Sequence, residues 1–118
     1  MDIQEMINTL KGHPDSAKIG MIATHLGVVR GTSRNGQRVA EIQVGYDYDV
    51  IADIINDIKN MPGIVEVLVN AMEGRLQVGD EILAVAVAGD IRENVFAALI
   101  KAVNRIKTEA SKKKEYMK

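Results

Sequence analysis

The chemistry open to this 118-residue chain rests on its cations. Lys107 lies near the C-terminus, Lys112-Lys113-Lys114 follow it, and Arg30 and Arg34 stand upstream. A lysine close to other cations and withdrawn from bulk water has a lowered pKa, so it can carry a proton or act as a nucleophile near neutral pH. Guanidinium forks grip the oxygens of phosphate or carboxylate in pairs. The same lysines also suit a charged helix end that complements the helix dipole, and spacing alone favours that plainer reading.

Other chemistries lack the residues they need. The chain has no cysteine, which excludes disulfides, thiolate metal sites and a Cys nucleophile. It has two histidines: His13 falls in the Gly12-His13-Pro14-Asp15 loop, and His25 reads as a half-buried strand residue rather than a ligand. No Ser/His/Asp set has a recognisable spacing, and Gly27, Gly31 and Gly36 fit neither common phosphate-cradling fingerprint. Glu41, Asp47, Asp49, Asp53 and Asp57 are explained as helix caps and a solvated face, so no metal constellation is expected. A net charge of −1 and only 3% aromatic residues argue against nucleic acid. No apolar run reaches the ~18 residues of a membrane span. The opening Met1-Asp2-Ile3-Gln4-Glu5 has no basic segment of the signal-peptide kind, and a cytoplasmic location is expected.

The elements that must position the cations follow from apolar spacing. With 47% apolar residues, the chain can build one aliphatic core, and residues 1–118 are expected to form one domain. Ile3, Met6, Ile7 and Leu10 predict a short helix over residues 2–11. Residues 18–30 are β-rich, Asn35-Gly36 signals a hairpin, and residues 39–44 predict its returning strand. Val50, Ile51, Ile54, Ile55 and Ile58 predict a helix over residues 47–60. Residues 64–72 and 81–88 predict strands apolar enough to be covered on both faces or to face a partner subunit. A last helix is expected from Asp90 to about Lys114, with Ile91, Val95, Phe96, Leu99, Ala102, Val103 and Ile106 as its stripe and the basic tail 112–118 fraying. The sum is an α+β fold with a mostly antiparallel sheet and helices packed on one side.

The run from Gly74 through Gly79-Asp80 to Val87, then Ile91-Arg92, Phe96-Ala97, Ile106-Lys107-Thr108 and Lys113-Lys114-Glu115, resembles the large, catalytic subunit of molybdopterin synthase. Gly27-Val28-Val29-Arg30 is similar to that family's Gly-x-Val-Arg strand end. The likeness spans roughly residues 19 to 116 and is firmest from 73 to 107. It implies an α/β-hammerhead fold and sulfur transfer from the C-terminal thiocarboxylate of a small ubiquitin-like subunit ending in Gly-Gly. The acceptor would be cyclic pyranopterin monophosphate, and no cofactor of the protein's own would take part. It further implies a homodimer core within a heterotetramer.

On that resemblance Lys107 is the first essential lysine, and the second is Lys114, or Lys113 if the chain is one residue shorter there. Arg30 and Arg92 match substrate-binding arginines. The lysines would hold the phosphate and the intermediate, one of them forming a transient adduct with the carrier's terminus. Arg92 and Lys107 stand fifteen positions apart, ~22 Å on one helix, so the resemblance implies a site shared across the dimer. Three departures support an alternative, a dimeric binding module that kept the fold and lost the reaction. Ile91 replaces the family's histidine, Ser111 and Lys112 replace aromatic residues, and the sequence stops at Lys118, where a C-terminal segment usually follows.

Overall fold

A computed structural model describes residues 1–118. Helix α1 spans Ile3–Lys11, strand β1 Met21–Val28, β2 Val39–Tyr46, helix α2 Tyr48–Lys59, β3 Ile64–Ala71, β4 Gly74–Gln77, β5 Glu81–Gly89, helix α3 Arg92–Arg105 and β6 Ser111–Met117. A wide π-turn, Ile106–Ala110, joins α3 to β6. The fold is α+β, and every strand pairing is antiparallel.

Two three-stranded sheets form, in the orders β1-β5-β3 and β4-β2-β6. Strand β5 is central to the first and is buried from Leu83 to Gly89, as its unbroken apolar run predicts. Its alternation assigns the two faces. Leu83, Val85 and Val87 join the main core with Ile51, Ile54 and Ile58 of α2 and Val95, Ala98 and Ala102 of α3. Ala84, Ala86 and Ala88 face the other way, and their small side chains let α1 seat Met6 and Leu10 against them. The helices are therefore not all on one side: α2 and α3 cover one face of this sheet and α1 the other. The expected helix at residues 2–11 had no such face to choose from sequence alone.

Two further expectations are corrected. The Asn35-Gly36 turn exists, with Gly36 at φ +86° and a bridge between Thr32 and Arg38. It does not, however, make β1 and β2 a hairpin. The Val29 N–H donates to the Asp80 carbonyl and the Gly79 N–H to that of Val29, at 2.8 and 2.7 Å. These bonds peel the end of β1 away, after a bulge at Gly27/Val28, so that β2 pairs with β4 and β6 instead. The last helix also stops early. After Ile106 and Ala110 no apolar residue continues its stripe, and the open edge of β2 offers Ser111–Met117 a full set of main-chain partners. Lys112, Lys113 and Lys114 thus lie on a paired strand and not on a fraying helical tail.

The two sheets are laid end to end, which gives the molecule a long axis of 49 Å against 24 and 23 Å. Tyr46 stitches them together: its hydroxyl donates to the Ile82 carbonyl at 3.0 Å, and burial pushes its pKa up to about 12. Val29, Val39, Ile42 and Val44 fill the space beneath.

Candidate functional site

Lys107 owes its position to the end of α3. Arg105, two residues earlier, donates to Asp57 of α2 at 2.8 Å and to Glu109 of the π-turn at 2.8 Å, clamping that turn against α2. The paired guanidinium holds the Glu109 carboxyl below its ordinary pKa. The Ser111 hydroxyl then donates to the Lys107 carbonyl at 3.0 Å. The backbone of Lys107 is held on both sides while its side chain is exposed.

The topology decides what lies near it. After β5 ends at Gly89 the chain turns and α3 runs back over the sheet, so Arg92 sits by Gly20 and Met21 and Lys107 reaches the other end of β1. His25 of β1 feels the Lys107 charge: burial first, and that charge second, hold its imidazole pKa below the ordinary value. Its Nε2 is buried without a hydrogen-bond partner. Arg30 follows β1 at this same end and is exposed. Neither Arg30 nor Lys107 is engaged in a salt bridge, and Lys113 is equally unpaired.

The strand register separates the two lysines that the sequence left as alternatives. Paired residues of antiparallel strands point to one face. Lys113 pairs with buried Val44 and shares its face with Ser111 and Tyr46. Lys114 pairs with exposed Gln43 and turns to the opposite face, where its ammonium lies 5.3 Å from the Tyr116 ring centroid. Arg75 stacks on the same ring at 5.2 Å and pairs with Glu41 at 2.7 Å, so Lys114 belongs to a solvated polar face of the second sheet.

The fold thus brings together Lys107, His25 and the strand end leading to Arg30, beside the start of β6. It leaves Arg92 at the far end of α3, in a contact of 3.2 Å with its neighbour Glu93. His25 lies in β1 and is partly buried, the half-buried strand position expected from the sequence. Nowhere do His, Asp and Glu gather in a group able to hold a metal ion. No helix is long and apolar enough to cross a membrane.

The family model described as MoaE protein matches residues 1–109. The chain belongs to the MoaE family. Among solved structures, the molybdopterin biosynthesis MoaE protein of Burkholderia ambifaria MC40-6 is 27% identical, covers 98% of this chain and 76% of its own, and superposes with a TM-score of 0.79. Molybdopterin cofactor biosynthesis protein E of Burkholderia multivorans is 26% identical, with a TM-score of 0.79 and coverage of 100% and 82%. A complex of subunits 1 and 2 of molybdopterin-converting factor from Helicobacter pylori 26695 shares the fold at 14% identity, with a TM-score of 0.72 over 99% of this chain and 80% of that one. A comparison with curated protein sequences finds no match. Membership of the MoaE family places the chain in molybdenum cofactor biosynthesis.

Proposed function

We propose that this MoaE-family chain is the catalytic subunit of a molybdopterin synthase. It would accept sulfur from the C-terminal thiocarboxylate of a small ubiquitin-like partner and deliver it to cyclic pyranopterin monophosphate. The observation that supports the reading is a pair of exposed cations free of acidic partners: Lys107, after α3 and acting on His25 of β1, and Lys113, on the β6 face that also carries Ser111. A chain without cysteine has no thiol to carry sulfur itself; its part is to bind the anionic substrate and move protons. Lys107 holds the phosphate and exchanges protons with the reacting groups, and Arg30 adds a guanidinium fork for phosphate oxygens.

Of the two candidates for the second lysine, the strand register favours Lys113. Lys114 is turned to the far face and already stacked on Tyr116. In a single-turnover assay with thiocarboxylated partner and cyclic pyranopterin monophosphate, Lys113→Ala should lose product formation by about 100-fold, the scale of a lost acid–base or anion contact. Lys114→Ala should stay within about threefold of wild type, the scale of an exposed charge. The reverse order would return the role to Lys114.

Arg92 cannot reach Lys107 within one chain, and a site completed by a second copy resolves this. The outer surface of α3 supports a dimer: Ile91, Phe96 and Ile100 are 52%, 50% and 61% exposed, a run of large apolar groups with nothing packed on them. A second copy laid on this face would bring Arg92 toward the partner's ligand site. Ile100→Glu should give a monomer in sedimentation while wild type sediments as a dimer, and Lys107→Ala mixed with Arg92→Ala should regain part of the activity. A monomeric wild type would remove this part of the reading.

The second reading is a dimeric binding module without the reaction. It is favoured by Ile91, an exposed apolar residue where the family resemblance calls for histidine. No product from a folded dimer with active partner would decide for it.

A further inference from the structure

His25 carries a feature the proposed reaction leaves unused. Its Nε2 is the one buried side-chain polar atom in the chain that meets no hydrogen-bond partner. Such atoms are rare, because a group stripped of water and given nothing in return destabilises the fold. The ring sits on the face of β1 shared with Val85 and faced by α3, and Lys107 is the charge acting on it. The neighbouring position on that face is Gly27. A Cβ there would come 3.2 Å from Nε2 and 3.0 Å from Ile82 Cγ2, so the absence of a side chain leaves the volume to the ring.

Burial and the Lys107 ammonium both oppose a second proton on the imidazole. A neutral ring is a poor partner for phosphate and a good one for an uncharged N–H or O–H. We propose that His25 is a further ligand-binding residue of this site, its Nε2 exchanging a hydrogen bond with the neutral polar edge of the same small molecule whose phosphate Lys107 holds. The ligand class is a phosphorylated nitrogen heterocycle. The unsatisfied ring nitrogen then acts as a specificity element, because a ligand lacking the complementary group would leave it unpaired. The inference rests on the reading of Lys107 given above.

The test uses the full chain, with cyclic pyranopterin monophosphate and inorganic phosphate as separate probes in calorimetry. His25→Phe should weaken binding of the pterin compound about tenfold, the scale of one lost hydrogen bond, and leave inorganic phosphate unaffected. It should also raise the melting temperature, since an apolar ring removes the unpartnered atom. His25→Gln, which restores a polar group, should bind the pterin compound within about threefold of wild type. In protein labelled with 15N-histidine, the Nε2 resonance of His25 should move on saturation with the pterin compound while that of His13 stays fixed. A saturated wild type with an unmoved His25 signal, or a His25→Phe protein that binds as tightly as wild type, overturns the inference and leaves Lys107 untouched. A wild type that binds no pterin compound overturns the proposed function and this inference together.

Discussion

Lys107→Ala should abolish molybdopterin formation in single turnover, by at least about 100-fold, with no loss of folding. The expectation follows from how the residue is held. Its side chain is exposed and carries no ion pair, so its removal costs the fold little. Its backbone is fixed by the Ser111 hydroxyl and by the Arg105 clamp on Asp57 and Glu109. A neighbouring lysine therefore has no easy route to replace it. Lys101→Ala, which removes another exposed cation, from α3, serves as control and should remain near wild type. Lys107→Arg separates charge from proton transfer: a guanidinium keeps the positive charge but does not deprotonate. It should retain substrate binding within about threefold while turnover stays low. Full activity in Lys107→Ala would remove the lysine from the mechanism.

Gly63→Ala is expected to destabilise the chain by roughly 3 kcal/mol. Gly63 has φ +77°, and a Cβ there would overlap the Asp90 carboxylate and approach the Asn94 amide. Asp90 is the hinge between β5 and α3. Its N–H donates to the Gly63 carbonyl at 2.9 Å, and its carboxylate accepts from Ile91 N at 2.7 Å and Asn94 Nδ2 at 2.9 Å. Those bonds, led by the one from Asn94, hold the Asp90 carboxyl below its ordinary pKa. Pushing Asp90 aside would release the first turn of α3 and with it Arg92. Gly36→Ala is the comparison. Its φ is +86°, but no atom lies within 4 Å of the added carbon, so only the backbone penalty of about 1 kcal/mol applies. Chemical denaturation of the two variants should show that difference, and equal losses would mean that the crowding at Asp90 relaxes freely.

The sequence by itself determined the aliphatic core, the amphipathic helices and the antiparallel α+β class. These are local properties: periods of 3.6 and 2 are written in consecutive residues such as Val50 to Ile58 and Glu81 to Ala88. It also carried the family resemblance, in the run around Gly79-Asp80 and Lys107. Tertiary structure decided what depends on competition between distant segments. Residues 111–117 have no strong helical or strand pattern of their own, and the open edge of β2 settled the matter in favour of a strand. That choice turned Lys113 and Lys114 to opposite faces, a distinction unavailable to a helix reading. The same kind of competition broke the expected hairpin, because the Asp80 carbonyl, 51 positions downstream of Val29, won its N–H. His25 and Lys107 are 82 positions apart, and only the return of α3 over β1 places one within the field of the other. Residue types announced which chemistry was available; the pairing of strand edges and the direction of one helix fixed which of those residues could share a ligand.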